Sequence, residues 1–111
     1  MPVVEFLQLL LGRNGEIKVR KHIYFSGQVQ GVGFRYRSTY LARPLGLTGW
    51  VKNLWDGRVE MEIQGEGSAI TKFLDQLKSQ RFIVIEGMAV EDMPLEERET
   101  SFSARDGWFD A

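Results

Sequence analysis

A glycine-rich segment, residues 27–33, is the feature that most constrains the fold of this 111-residue chain. The residues before it, 19–26, alternate between apolar and polar positions, which predicts a strand with Ile23 and Phe25 facing the core. The residues after it, 34–43, are typical of a helix that is ended by the following proline. Because glycine tolerates positive φ angles, the segment predicts a tight loop between a strand and a helix.

Two strand-like segments, residues 48–54 and 58–64, follow this first helix. They are separated by a turn that contains Asp56 and Gly57, and an Asp-Gly pair supplies the positive φ angles that a tight hairpin requires. In the second segment apolar and polar residues alternate, as expected for a strand with one buried face. The two segments therefore predict a β-hairpin.

A second helix and two more strands complete the pattern. Ser68 is the predicted N-cap of a helix that ends near Gln80. Its apolar positions fall at i, i+3, i+4 and i+7, which predicts one buried stripe formed by Ile70, Phe73, Leu74 and Leu77. Residues 82–90 predict a fourth strand and residues 101–105 a short edge strand. The order βαββαβ predicts an α+β, ferredoxin-like sandwich, with two helices packed on one face of a mainly antiparallel sheet of four to five strands.

We predict a single domain over residues 17–111 and an N-terminal extension over residues 1–16. The extension has a helical apolar pattern at Val3, Phe6, Leu7, Leu10 and Leu11. It is too short to span a bilayer, and no basic residue precedes its apolar run as in a secretory signal. Packing on the sheet, self-association and no function remain open for it. We expect a cytoplasmic protein that does not bind membranes.

The composition excludes several kinds of active site. The chain has no Cys and a single His, His22, which excludes thiolate nucleophiles, iron–sulfur clusters and multi-histidine metal sites. We therefore predict no metal and no cofactor. We interpret His22 as an exposed sheet residue without a catalytic part, and Lys52 as an exposed strand residue.

Charge is divided unevenly along the chain, although 14 Lys and Arg against 15 Asp and Glu give a net charge of −1. Residues 18–58 carry eight basic residues and one acidic residue, whereas residues 86–99 carry six acidic residues and one basic residue. An anionic ligand would prefer the basic half, and we interpret the acidic loop as solvated surface. The strand at 58–64 has no aromatic residues, so we predict no nucleic-acid partner.

The glycine-rich loop and the helix start after it are candidates for an anion-binding site. Glycines let successive N–H groups point into one concavity, and a helix N-terminus adds unpaired N–H groups and a positive dipole end. Arg35 would add a planar guanidinium that matches two phosphate oxygens. The spacing matches neither the P-loop nor the dinucleotide-binding motif, so the alternative is a glycine-rich turn beside an exposed arginine.

Asn53 is a second candidate, because Asn is a poor strand former and this one falls near the end of a strand-like segment. Beside a phosphate loop, its carboxamide can accept a hydrogen bond from water and donate one to a phosphate oxygen. The alternative is that Asn53 simply starts the hairpin turn.

Two motifs in the chain resemble those of the acylphosphatases. The run Gly-Gln-Val-Gln-Gly-Val-Gly-Phe-Arg, residues 27–35, meets every fixed position of the family's first motif. The second motif is met by Gly49, Trp50, Val51, Lys52, Asn53, Gly57, Val59 and Gly65. The resemblance covers about residues 18–90, with a weaker match at 102–105, and the ferredoxin-like fold of the family agrees with the element order above.

The resemblance implies an acylphosphatase (acylphosphate phosphohydrolase), which hydrolyses acyl phosphates to carboxylate and inorganic phosphate without a metal. It implies that Arg35 is the catalytic phosphate-binding arginine and that Asn53 positions the attacking water. It also implies a cradle of backbone amides, formed by Gln28, Val29, Gln30, Gly31, Val32, Gly33 and Phe34. The expected partners are a small-molecule acyl phosphate and inorganic phosphate, as product and competitive inhibitor, and we expect a monomer.

A non-catalytic module on the same fold, which binds an anion or another ligand, is the alternative function. The resemblance also implies a second alternative, because acylphosphatase-like domains occur as parts of larger hydrogenase-maturation carbamoyl transferases; we expect this chain to correspond to that one domain only. The presence of both Arg35 and Asn53 favours the hydrolase.

Overall fold

The computed structural model describes residues 10–106. Its helices and strands, named in chain order, are β1 (Lys18–Gln28), α1 (Phe34–Ala42), β2 (Thr48–Asn53), β3 (Val59–Glu66), α2 (Gly67–Lys78), β4 (Val84–Met93) and β5 (Phe102–Arg105). The strands form one sheet in the order β4-β1-β3-β2-β5, in which β2 and β5 are parallel and the other neighbours are antiparallel. The α+β, ferredoxin-like sandwich that the sequence predicts is confirmed, with five strands.

The hydrophobic core lies between the two helices and one face of the sheet, called here the core face. Ile23 and Phe25 of β1 are fully buried there, as predicted, beside Met61 of β3. Phe73 of α2 and the other members of its apolar stripe cover this face. Burying one such side chain stabilises the fold by about 1.5–3 kcal/mol.

The start of α2 differs from the prediction. Ser68 is not the N-cap: the helix begins at Gly67, and the capping residue is Glu66, whose side chain makes no cap hydrogen bond. The shift arises because β3 runs in extended conformation directly into the helix, which places Ser68 in its first turn. The Ser68 hydroxyl donates instead to the Glu16 carboxylate, at 2.5 Å.

The opposite face of the sheet, called here the open face, is polar and closely paired. Arg20 of β1 is 4% exposed, and its three side-chain nitrogens donate to the carboxylates of Glu62 and Glu99 and to Gln64, at 2.7–3.2 Å. Burial alone lowers the pKa of Arg20, but hydrogen bonds to Glu99 and Glu62 outweigh it and raise the pKa above the usual value. Glu99 therefore departs from the prediction that the acidic loop is solvated surface.

Two predictions about this open face are wrong. The Lys52 side chain is 4% exposed and His22 is half-buried, because both lie against Glu60 of β3. The Glu60 carboxylate is 2.7 Å from His22 Nε2 and 3.7 Å from Lys52 Nζ. Alternation along a strand gives the face on which a side chain lies, but neighbouring long side chains decide how much water reaches it.

The end of the N-terminal extension is tied to the domain. Leu11 forms an isolated antiparallel bridge with Ile17, and the backbone amides of Asn14 and Glu16 donate to Glu66 Oε2 at 2.8 and 3.1 Å. The apolar positions 3, 6 and 7 of the predicted helical pattern lie outside the described residues. Among residues 10–106, no helix combines the length and hydrophobicity needed to cross a bilayer.

Candidate active site

The loop between β1 and α1 is held in a turned conformation by its glycines and by one buried side chain. Gly31 and Gly33 have φ angles of 73° and 80°, in the left-handed region that favours glycine. Gly33 is also the N-cap of α1. Val29 is fully buried in the core, and Phe34, at the first position of α1, packs edge-on against Phe25. The loop is thus anchored at both ends while its glycines stay at the surface.

Gln30 links this loop to the β2–β3 hairpin. Its side-chain amide donates to the carbonyl oxygens of Leu54 and Arg58, at 2.7 and 2.9 Å. Asn53 immediately precedes Leu54, so one amide group ties the glycine loop to the turn beside Asn53. The sequence marks Gln30 as a motif position, but it gives no sign of these partners, which lie 24 and 28 residues away.

Arg35 is the second residue of α1, and its side chain reaches the end of β5. Its Nη1 donates to the Arg105 carbonyl at 2.8 Å and lies 3.4 Å from Asp106 Oδ1. One third of the side chain is exposed. Within residues 10–106 the hydrogen bonds from this guanidinium use Nη1, so its other nitrogens are available to a ligand. The α1 N-terminus carries no acidic residue in its first turn that would repel an anion.

Asn53 is the last residue of β2, and it is half-buried opposite Val59 of β3. The turn after it differs from the prediction: Gly57 has a φ of 94°, whereas Asp56 has a negative φ. Asp56 accepts instead from the Arg58 amide at 3.1 Å, which lowers the pKa of Asp56 below its usual value, and the Arg58 side chain adds to the effect. Asn53 directly precedes the turn, as the alternative predicts, and it also lines the same cavity as the glycine loop.

The strand pairing that places Asn53 depends on one motif glycine. Gly49 of β2 has a φ of 142°, and a Cβ added there would lie 1.9 Å from the Glu62 carbonyl oxygen of β3. A side chain at this position would force β2 and β3 apart. Gly49 therefore allows β2 and β3 to pack closely, which explains why this motif position is a glycine.

Six of the nine predicted site residues line one open cavity of about 610 Å³. Those that line it are Val29, Gly31, Gly33, Phe34, Arg35 and Asn53. Gln28 instead pairs with Val84 as the last residue of β1, the Gln30 side chain donates to the hairpin, and Val32 packs against the core. The structure thus brings the two side chains of the predicted site and the glycine loop together.

The sequence prediction missed the other wall of the cavity. It is lined by Tyr36 and Thr39 of α1, by Arg43 at its C-cap, and by Ser103, Ala104 and Asp106 from the C-terminal strand and its end. The α1 residues carry a signal, because Arg35, Thr39 and Arg43 are spaced at i, i+4 and i+8 on one helix face. Residues 103–106 carry none, since their position follows from the parallel pairing of β5 with β2.

Comparison with known proteins agrees with this geometry. The profile of the acylphosphatase family matches residues 21–104. The chain is 46% identical over 89 residues to an acylphosphatase of Bifidobacterium longum, covering 78% of this chain and 92% of that protein. The crystal structure of acylphosphatase from Bacillus subtilis superposes with a TM-score of 0.73 at 35% identity, covering 79% of this chain and 99% of that one. The chain therefore belongs to the acylphosphatase family.

A larger protein contains a similar domain. Full-length HypF, in a phosphate- and nucleotide-bound crystal structure, superposes with a TM-score of 0.72 at 27% identity. The match covers 80% of this chain but 12% of HypF. The fold is therefore found both in proteins of this size and as a small part of a much longer chain.

Proposed function

We infer that this protein is an enzyme that hydrolyses the carboxyl–phosphate bond of acyl phosphates, releasing a carboxylate and inorganic phosphate. The family match and the names of its relatives support this activity. The observation that carries it is the convergence of Arg35, Asn53 and the glycine loop on one cavity.

We assign binding of the phosphoryl group to Arg35 and to the amides of the loop and the α1 N-terminus. The positive end of the helix dipole and the unpaired N–H groups favour an anion there. The Arg105 carbonyl holds Arg35 through Nη1, which fixes the plane of the guanidinium before the substrate arrives. Phosphoryl transfer spreads negative charge over the equatorial oxygens, so donors fixed in advance lower the barrier.

We assign positioning of the attacking water to Asn53, whose carboxamide can both accept from water and donate to a phosphoryl oxygen. Water forms a bond to phosphorus, and the bond from phosphorus to the acyl oxygen breaks, with its electron pair leaving on the carboxylate. The conjugate acid of such a leaving group has a pKa of about 4, so no general acid is required. The proton of water passes to the phosphoryl group, and the products are a carboxylate and inorganic phosphate.

Two further features belong to this proposal. Inorganic phosphate, as the product, should occupy the same cradle and compete with the substrate. We also propose that the protein acts as a monomer, since one chain by itself brings Arg35, Asn53 and the glycine loop to the same cavity.

The test is release of phosphate from benzoyl phosphate, with a chelator present, by wild type and by Arg35→Gln and Asn53→Ala. We expect each variant to lose about 10²-fold or more in kcat, the usual effect of removing a donor that stabilises the transition state. The matched control is Arg37→Gln, because Arg37 is an exposed arginine on α1 outside the cavity.

The control should retain wild-type activity, and circular dichroism should show all variants folded. Competitive inhibition by inorganic phosphate in the wild type completes the test. Phosphate binding without turnover in the wild type would contradict the proposal and support a non-catalytic anion-binding module instead.

A further inference from the structure

The cavity extends well beyond the space that a phosphoryl group needs. Its volume of about 610 Å³ lies in the range of pockets that hold whole small ligands, about 300–1,000 Å³. From Arg35 it runs along α1 past Thr39 to Arg43, and β5 forms the opposite wall with Ser103 and Ala104. The phosphate cradle is therefore one end of a longer groove, and the acyl part of a substrate bound at Arg35 would lie in the rest.

The two ends of this groove both carry an arginine, but their surroundings differ. Arg35 is held by the Arg105 carbonyl and faces Asp106. Arg43 is exposed, and its Nη2 donates to the Phe102 carbonyl over a long 3.4 Å. No carboxylate within residues 10–106 forms an ion pair with Arg43. The acidic residue of the lining, Asp106, thus offsets charge at the cradle end, and the far end keeps its positive charge.

The spacing of the two arginines defines the ligand that would bridge them. Eight residues of helix separate their Cα atoms by about 12 Å along the axis, and each side chain is long enough to shorten the gap between the charged groups. A guanidinium binds carboxylate and phosphate oxygens through a planar pair of N–H groups. A molecule with a phosphate at one end and a second anionic group several bonds away matches both.

We propose that Arg43 is a specificity-determining residue that binds a second anionic group, a carboxylate or a phosphate, at the far end of the acyl chain. The preferred substrates are then acyl phosphates whose acyl part carries its own negative charge. This proposal rests on the assignment of Arg35 and the loop to the phosphoryl group.

The test compares two rigid substrates, 4-carboxybenzoyl phosphate and 4-methylbenzoyl phosphate, which differ in the distal charge. We expect wild type to favour the carboxylated substrate in kcat/KM, chiefly through a lower KM. In Arg43→Gln, the ratio of the two kcat/KM values should fall about fivefold, which is the largest effect usual for the loss of a solvent-accessible ion pair. In Arg43→Gln, kcat/KM should change less for the methyl substrate than for the carboxylated one, Arg43→Lys should restore part of the preference, and Arg37→Gln should behave as wild type.

A second arm does not depend on turnover. Calorimetry measures the binding of 5-phosphonopentanoate and of pentylphosphonate, which has a methyl group in place of the carboxylate. The proposal expects tighter binding of the first by wild type and equal binding by Arg43→Gln. Equal affinities in wild type, the same preference in Arg43→Gln, or binding of neither compound would overturn it. Absence of hydrolysis with a preserved affinity difference would instead reject the proposed reaction and leave the role of Arg43 intact.

Discussion

Two arginines, Arg20 near the start of β1 and Arg35 near the start of α1, differ in how many of their donors the protein itself uses. Arg20, on the open face, donates through all three side-chain nitrogens to Glu62, Glu99 and Gln64. Arg35, at the cavity, donates through Nη1 and leaves one third of its side chain exposed. Arg20 joins β1, β3 and the acidic loop, whereas Arg35 is oriented by a backbone carbonyl and still has donors for a ligand.

The difference indicates that the number of unused hydrogen-bond donors, more than the charge, distinguishes a ligand-binding arginine from a structural one. A guanidinium whose donors are all used by the protein has nothing to offer a ligand, and its removal leaves carboxylates unpaired. A guanidinium fixed through one nitrogen keeps its orientation and its remaining donors. Substitution of the first should therefore change the free energy of unfolding, and substitution of the second should change kcat.

The largest effect on stability is expected from Arg20→Met. Removing the guanidinium leaves Glu62 and Glu99 close together without a counter-charge, which should lower the free energy of unfolding by about 3 kcal/mol. Urea unfolding at pH 7 measures it, and the kcat of the folded protein should stay near the wild-type value.

The matched control is Lys21→Met on the same strand, because Lys21 pairs with Asp92 at the surface. Loss of this pair should lower the free energy of unfolding by less than about 1 kcal/mol. Equal effects of the two substitutions would contradict the distinction between a buried, saturated arginine and a surface pair.

Gln30→Met should affect both quantities, because Gln30 joins the glycine loop to the hairpin that carries Asn53. Each of the two carbonyl oxygens loses one donor but still accepts from a backbone N–H of the hairpin, so the unfolding free energy should fall by about 1 kcal/mol. Misalignment of the loop relative to Asn53 should lower kcat about tenfold. Steady-state kinetics and urea unfolding measure the two effects.

Gln80→Met is the control for this prediction, since its amide donates to the Gln76 carbonyl at the end of α2. It should leave kcat unchanged. A Gln30→Met protein with wild-type kcat would show that the loop and the hairpin keep their relative position without this link.

The smallest expected effect is on the pH dependence of the reaction. His22 is the single imidazole of the chain, and it pairs with Glu60 on the open face. Because this pair lies outside the residues that line the cavity, the profile of kcat between pH 6 and 8 should be flat in both wild type and His22→Gln. An inflection within this pH range that disappears in His22→Gln would give the imidazole a part in the reaction.

Much of the fold could be predicted from the sequence because it depends on local pattern. The alternation that buries Ile23 and Phe25 and the apolar stripe of α2 decide which faces meet, and the glycine loop decides where strand gives way to helix. Residue type alone predicts Ser68 as the N-cap, but β3 runs directly into α2 and places Ser68 in the first turn of the helix. β4 also runs past its predicted end at residue 90 to Met93, because β1 pairs with it as far as Arg20.

The candidate site was predictable where it coincides with a contiguous motif and not where it depends on pairing across the chain. Arg35 and the glycines of the loop fall within one motif of nine residues, so they can be recognised from the sequence. The Arg105 carbonyl that orients Arg35 lies 70 residues away, and its position follows from the parallel pairing of β5 with β2. Arg43 has the helical spacing of a lining residue, but only the closure by β5 turns that helix face into the wall of a groove.

Titration of ¹⁵N-labelled protein with inorganic phosphate tests the central claim most directly, since it asks which atoms bind the phosphoryl group. We expect saturable shifts of the backbone amides of residues 29–34 and of the Arg35 side chain, with Arg20 and its partners unmoved, and loss of the effect in Arg35→Gln. Saturable shifts confined to other regions, or the same affinity for phosphate in Arg35→Gln, would contradict the assignment of the glycine loop and Arg35 as the phosphate cradle.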